Sequence, residues 1–584
     1  MNNCKRSSSF ENIFTPLSDK KSICLIVIIG FVVFFNILFN GFVWDDITYI
    51  INNPEIKIFN LARLVGRNMF NSSGYFRPLP AVYFSLLFNV FGNTAFFYHL
   101  IQLLLHITDS IIFFYIFKYF FKKPLALFLT LIFLIHPINV ESVAYIGASQ
   151  SVLYFLFGGL AFLFSLKTSL TDKKVITIHI LLLCALLTKE VSILFFLVIY
   201  LYRYLFKKHL PIKFLLSTLG VIFIYLVIRF AVLGTILQKM HLIPISEIPM
   251  LYRLTHIPII LFYYLKTFFF PKVLAIDQIW TISAVNRNNF FFPLIFDFVF
   301  IAGILGVLIY FFRRRKRNTG LFLLFFIWFL AGMALLFQIF PLDMTVADRW
   351  FYFPIVGLLG LLGIIIDYIF SKVIDKQKFI FLSGAALLLI ILSIRTVIRN
   401  ANWLNSLTLY GHDVKYYDNY DIENFLGVEL ASLNRNEEAL PHLIKSSQLL
   451  PHDTNLFNVG SVYEKMKDYQ NAKLYYEKAL EIKGNNDNYL NHKEIRKFAY
   501  EGSARILILQ SRWENIGNIV EKGLNEFPEN GSLWAYLAIG EYNLDHYDQA
   551  LLAAEKANKF LKNPSSEKLY NMILNKEKLN LRYE

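Results

Sequence analysis

The chain has 584 residues, a mean hydropathy of +0.49, 56% hydrophobic and only 17% charged residues, and a net charge of +15. That balance excludes an ordinary soluble globular protein, which carries about a quarter charged residues; the 60 Phe and 33 Tyr point to lipid-facing surface and interfacial aromatic belts. From Asp413 onward 21 Lys and Arg face 26 Asp and Glu, so the positive excess belongs to the hydrophobic part, a pattern of cytoplasmic loops and not of nucleic-acid binding. Three cysteines, Cys4, Cys24 and Cys184, leave the polar part without a disulfide framework.

Residues 1–20 read as a short cytoplasmic tail ending in Lys20-Lys21. The apolar run Ile23–Phe39 is followed by no small-residue cleavage site and reads as a signal anchor. Runs long enough to cross a membrane, or nearly so, lie at 22–40, 95–121, 125–139, 149–168, 175–188, 190–206, 213–233, 293–312, 319–338, 350–371 and 378–397, about eleven crossings in a domain of residues 21–400. Basic residues set the orientation. Lys20-Lys21, Lys118/Lys122/Lys123, Lys167/Lys173/Lys174, Arg203/Lys207/Lys208/Lys213, Arg313–Arg317 and Lys372/Lys376/Lys378 all follow an even number of crossings when the N-terminus is cytoplasmic. Residues 251–270 would break that count and carry Arg253, His256 and Lys266, so they read as interfacial or re-entrant. Eleven crossings put the loop 41–93, the segments 136–150, 189–190 and 337–349, and the C-terminal part on the outer face.

From about residue 415 the composition turns polar with a period near 34. Leu426-Gly427, Ala439 and Pro451 mark one unit. Leu456, Val459-Gly460, Tyr463, Tyr469, Ala472, Tyr476 and Ala479 mark the second. Tyr500, Ala504, Trp513 and Pro528 mark the third, after an insertion at 484–494, and Trp534, Leu537-Ala538, Tyr547, Ala550 and Ala557 the fourth. Small residues stand where paired helices approach and large ones between them. This is the pattern of tetratricopeptide repeats, about four of them over 415–565, forming an α-solenoid and followed by a tail at 566–584. Such arrays bind peptides or proteins, with Tyr463, Tyr476 and Trp534 as candidate contacts; a structural cap or dimerisation surface is the plainer alternative.

Five clusters carry candidate chemistry. Trp44-Asp45-Asp46 follows the first crossing; its carboxylates suit a general base for a hydroxyl, or ligands for a divalent cation such as Mg or Mn, although no cofactor is required by the sequence. Tyr75-Phe76-Arg77-Pro78-Leu79 opens an amphipathic stretch and offers Arg77 to a phosphate or carboxylate. His136 and Glu141 close a short hydrophobic helix where they can line a cavity. Lys189-Glu190 sits between two apolar runs, Lys189 able to meet a phosphate and Glu190 to position a donor or acceptor. Asp348-Arg349 enters the tenth crossing, and an arginine fork suits phosphate. Each has an ordinary reading as a helix cap, hairpin tip or interface anchor; their common side of the membrane argues for a shared outward-facing site. Phosphate-binding loops, dinucleotide fingerprints, Cys/His metal patterns and serine nucleophile elbows are not found.

The order Trp-Asp-Asp, Tyr-Phe-Arg-Pro-Leu, His99-Leu100 with His106, His136-Pro137 with Glu141-Ser142-Val143-Ala144, Lys189-Glu190, Asp348-Arg349 with Tyr352 and Pro354, and then repeats, resembles the transmembrane and tetratricopeptide-repeat O-mannosyltransferases of the GT-C superfamily over about residues 20–565. The resemblance implies an all-α protein: a polytopic GT-C-like membrane domain followed by a repeat solenoid. It implies inverting transfer of mannose or another hexose from a polyprenyl-phosphate carrier to a hydroxyl of a protein or glycan on the outer face. In that scheme Asp45 or Asp46 activates the acceptor or holds a metal and Arg349 meets the phosphate; His136, Glu141, Lys189 and Glu190 shape the donor pocket, with Arg77 and Asp348 beside them. One departure is Gly147-Ala148, where the family carries Gly-Arg, so an expected cation is missing. Abundant Lys, Asn, Ile and Phe suit a bacterial member, in an inner membrane with periplasmic or extracellular repeats. Two other readings stand: an O-antigen-ligase-like transferase using a lipid diphosphate, against which the short loops argue, and a non-enzymatic membrane scaffold presenting the repeats.

Overall fold

The computed structural model describes residues 17–67, 75–167, 170–207, 211–235, 244–314, 316–372, 375–482 and 492–578. Among the described residues the secondary structure is helical, and β pairing is limited to one isolated antiparallel bridge between Gln278 and Val346. Two compact units divide between Tyr417 and Asp418.

Among the described residues of the first unit six helices are long and apolar enough to cross a membrane: Asp19–Phe39, Ala95–Phe120, Ile146–Ser165, Ile212–Leu233, Arg287–Arg313 and Gln377–Asn402. A bent pair, Lys123–Ile135 with Pro137–Ala144 at 48°, brings the number to seven. The other four expected crossings form the shorter helices Asp172–Thr188, Ile193–Tyr202, Asn318–Ala334 and Pro354–Phe370. The bend has a local cause: Pro137 follows His136, which leaves the helix with an extended backbone. Residues 251–270 hold the end of the short helix Met250–Arg253, the 3-10 turn Leu254–His256 and the 13-residue helix Ile257–Phe269, a run that is not among the described helices long and apolar enough to cross a membrane. Much of the surface of Ile212–Leu233, Arg287–Arg313 and Gln377–Asn402 is exposed Leu, Ile, Val and Phe, as lipid-facing helices require.

Polar groups inside these helices are spent on fixing them together. Asn40 donates to Asn400 O at 3.1 Å, Asn400 to Val33 O at 3.0 Å and Asn36 to Val397 O at 3.0 Å, while Gly41 N donates to Leu404 O at 2.9 Å. The first apolar helix is thus clamped to the last, and the chain emerges at Gly41 in a fixed place just before Asp45. The loop 41–93 is structured: a π-helical turn at Ile47–Ile51, a short helix Leu61–Gly66 and the helix Pro78–Phe91.

Helix Pro354–Phe370 lies against the helix before it through Gly357 and Gly360. A Cβ at Gly357 would clash with the backbone of Phe329 and, at 2.7 Å, with Phe325 O. Gly357→Ala is therefore expected to destabilise by about 1–3 kcal/mol, because backbone cannot step aside. Gly384→Ala, where nothing stands within 4 Å, serves as the control. Thermal unfolding in detergent should show a lowered midpoint for the first and none for the second.

The second unit is a run of helix pairs: Tyr420–Ser432 with Asn436–Leu449, Asp453–Lys465 with Tyr469–Glu481, His492–Leu509 with Ile516–Glu526, and Gly531–Asn543 with Tyr547–Leu561. The turn inside each pair contains one residue at positive φ, namely Asn434, Lys467, Ser511 and Asp545, between 54° and 63°. Gly427 meets Leu443 and Gly460 meets Tyr476 at distances that exclude a Cβ. A further helix, Pro564–Leu574, covers much of the expected tail at 566–584, and most of the 484–494 insertion lies outside the described residues.

Candidate functional site

The two adjacent aspartates have different environments. Asp46 is fully buried, and both its oxygens are used: Oδ2 accepts from Val43 N at 3.1 Å and Oδ1 from Gly147 N at 2.7 Å. It staples the first loop to the segment that enters helix Ile146–Ser165. Asp45 is half-buried, and among the described residues its side chain accepts only the Tyr145 hydroxyl, at 3.2 Å. Burial pushes Asp45 up to about 6, opposed by the nearby Arg349 charge and the Tyr145 hydroxyl. Burial pushes Asp46 up to about 8 against the N–H groups of Val43 and Gly147. Trp44, just before them, has φ 56°, a left-handed conformation unusual for a bulky side chain. Its ring lies 5.0 Å from that of Tyr145, and the Arg349 guanidinium stands 5.4 Å from its centroid. As a chelating pair for Mg or Mn the aspartates do not fit, because the oxygens of Asp46 face N–H donors. Among the described residues no group of three His, Cys, Asp or Glu could hold a metal.

Arg349 lies on the 3-10 turn Asp348–Tyr352, and its partner Glu141 on the short helix Val140–Ala144. The Arg349 side chain donates to Glu141 Oε1, and its own backbone N–H donates to Glu141 Oε2 at 3.0 Å, with both side chains buried. Nη2 rests on Met344 Sδ at 3.6 Å. Arg349 therefore reaches the Asp45 surroundings as a charge already held by a carboxylate.

A second group of charges comes from three other elements. Arg77 Nε donates to Glu190 Oε2 at 3.0 Å and Nη1 to Gln150 Oε1 at 2.7 Å, with its guanidinium 3.9 Å over Tyr75. Arg229 donates to the other Glu190 oxygen at 3.3 Å. Two arginines share one carboxylate, and Glu190 is held below its ordinary range by Arg77 against the upward push of burial. Lys189 is buried, with Ser151 Oγ at 3.3 Å from Nζ. Burial first, then the repulsion of Arg77 and Arg349, brings its ammonium down to about 7.

The structure links Asp45 to Arg349, Arg349 to Lys189, and Lys189 to Arg77 and Glu190 through their charges, with Glu141 behind Arg349. Two expected members turn away. His136 uses both ring nitrogens: Nδ1 accepts from Ile138 N at 3.2 Å and Nε2 bonds to Phe268 O at 2.9 Å, with its ring stacked on Phe268. It caps a break in the helix rather than lining a pocket. Asp348, next to Arg349 in sequence, accepts from the Tyr263 hydroxyl at 2.6 Å, and burial lifts it to about 8. Sequence reasoning missed Arg229, Tyr145 and Gln150. Only Arg229 carried a signal, a cation inside an apolar run.

In the second unit Tyr476 is 1% exposed and donates to Glu464 at 2.7 Å, so its ring fills the repeat core and does not face a partner. Tyr463 stacks on Tyr475 at 5.7 Å, and Trp534 donates to Pro528 O at 2.8 Å with Lys556 4.0 Å over its ring; both are half-buried.

A tetratricopeptide repeat family model matches residues 454–486. The chain is 25% identical over 510 residues to the human protein O-mannosyl-transferase TMTC3, covering 78% of this chain and 54% of the relative, and 24% identical to the mouse TMTC3 protein over the same span. A shorter match, 30% over 136 residues, joins 21% of the chain to 14% of the mouse protein O-mannosyl-transferase TMTC1. The chain spans about half the length of the TMTC3 relatives it matches.

Proposed function

We propose that this chain is a membrane glycosyltransferase of the GT-C type that moves mannose or another hexose, with inversion, from a polyprenyl-phosphate carrier to a hydroxyl of a protein or glycan acceptor. The observation that carries the reading is the division of labour at the first loop: Asp46 is consumed by backbone N–H groups, while Asp45 is half-exposed and feels the charge of the paired Arg349, which acts in turn on the buried Lys189. The names of the relatives, protein O-mannosyl-transferases, support the same class of donor sugar and acceptor.

In this reading the acceptor oxygen attacks the anomeric carbon as its proton passes to Asp45. The bond from that carbon to the phosphate oxygen breaks, and the phosphate leaves with the electron pair. Lys189 meets that phosphate, since among the described residues its ammonium donates to Ser151 and enters no ion pair, while Arg77 and Arg229 are bound to Glu190. Arg349 adds positive charge from its Glu141 pair. The four shorter apolar helices complete about eleven crossings, the N-terminal tail to residue 20 is cytoplasmic, and the 21–400 domain opens its site on the outer face. The repeats over 415–565 form a solenoid on that face, periplasmic or extracellular, that holds the acceptor protein; the amino-acid usage suits a bacterial inner membrane.

The test is transfer from a labelled polyprenyl-phosphate hexose to acceptors in membranes, followed as kcat/KM against pH. Asp45 must be ionised, so transfer falls as pH drops through about 6; Lys189 must be charged, so transfer falls again as pH rises through about 7. Lys189→Arg should move the alkaline limb upward and leave the acid limb in place. Absence of transfer from every hexose tried, or an alkaline limb that ignores Lys189→Arg, overturns the assignment.

A further inference from the structure

The segment between helix Asn318–Ala334 and the turn Asp348–Tyr352 is held far more firmly than a connecting loop requires. Gln338 is fully buried at φ 57°, and its side chain bonds back onto this segment: Nε2 donates to Met344 O at 2.7 Å and Thr345 O at 2.9 Å, and Oε1 accepts from Leu342 N at 2.9 Å. Thr345 is fixed in turn to Trp280, its hydroxyl donating to Trp280 O at 2.6 Å and accepting from Trp280 N at 3.1 Å. Asp343 lies between these anchored neighbours. It is half-buried, and among the described residues it accepts no hydrogen bond and enters no ion pair. Met344, the next residue, has its sulfur 3.6 Å from Arg349 Nη2, which sets Asp343 beside Arg349, and the Asp343 charge is felt at Asp45, Arg77, Lys189 and Arg349.

Among the described residues no cation forms a direct ion pair with it. Arg349 has Glu141, Arg77 and Arg229 share Glu190, and Lys189 is left for the phosphate. An ionised carboxylate only accepts hydrogen bonds, so its natural partner is a group rich in donors. A hexose carried on a phosphate brings hydroxyls within a few ångströms of that phosphate. Resting on the glycosyl-transfer reading, we propose that Asp343 is a sugar-recognition residue, accepting hydrogen bonds from ring hydroxyls of the donor hexose while the Gln338-braced loop holds it in place. It sets preference for the glycosylated carrier and takes no proton in the transfer.

The test is equilibrium binding to the full chain in lipid nanodiscs, comparing a bare polyprenyl phosphate with the same lipid carrying the hexose. Wild type should prefer the glycosylated lipid by about tenfold or more, the size of hydrogen bonds to a charged group. Asp343→Asn and Asp343→Ala should lose that preference, keep the affinity for the bare phosphate and retain the wild-type thermal midpoint. A preference equal in wild type and variants, or absent from wild type, overturns the proposal. Preference lost as expected in a protein that transfers nothing keeps Asp343 as the recognition residue and removes the catalytic reading. Transfer and preference unchanged by Asp343→Ala, with transfer abolished by Asp45→Asn, does the reverse.

Discussion

Asp45→Asn is expected to lower kcat for sugar transfer by about 10²–10⁴, the range a positioned general base contributes, with the unfolding midpoint unchanged. Asparagine keeps the shape and can still accept from Tyr145, but it cannot take the acceptor proton. Asp46→Asn should behave in the opposite way. One of its two terminal atoms becomes an N–H donor facing Val43 N or Gly147 N, so a buried donor meets a donor, at about 1–3 kcal/mol. The expected result is a lowered thermal midpoint with transfer surviving in the protein that remains folded. Measuring both quantities on both variants separates the roles; a midpoint loss for Asp45 and a pure rate loss for Asp46 would exchange them.

The second large effect belongs to the Arg349–Glu141 pair. Both side chains are buried, so removing one leaves the other as an unpaired charge, a loss of about 3–5 kcal/mol. Arg349→Met and Glu141→Gln should each destabilise by that order. The double variant should recover most of the stability, because a buried pair contributes little beyond an apolar substitute. Transfer should stay low in all three, since the charge facing Asp45 is lost or freed from its seat. A double-mutant cycle on unfolding checks the stability; a double variant as unstable as the sum of the singles would show that the two residues do not act as a pair.

Composition and apolar run length make the helical membrane part legible, and the small-residue spacing makes the repeats legible, because both depend on local pattern. The site is less so. No periodicity reveals which of two adjacent aspartates faces backbone N–H groups, because Gly147 arrives from 101 residues away. Asp348 and Arg349 were grouped by adjacency, yet on a 3-10 turn successive side chains point about 120° apart, and here one faces Tyr263 and the other Glu141. Arg229 vanished into the hydropathy of its run, and Tyr476 was read as a contact because aromatic residues serve both cores and interfaces. His136 has the sequence context of a pocket residue, but the proline after it creates a helix break whose free Ile138 N–H it satisfies.

The left-handed backbone at Trp44 has a bearing on how this protein tolerates improvement. Such a conformation in a bulky residue stores on the order of 1–3 kcal/mol and persists only because ring contacts with Tyr145 and Arg349 enforce it. Glycine at 44 would release the strain but also remove the indole that packs on Tyr145, the residue whose hydroxyl donates to Asp45. The turn is thus a point where thermal robustness and turnover trade against each other: variants selected for survival in detergent would accumulate there at the expense of rate, while activity-selected lineages would keep the strain and accept a more fragile fold.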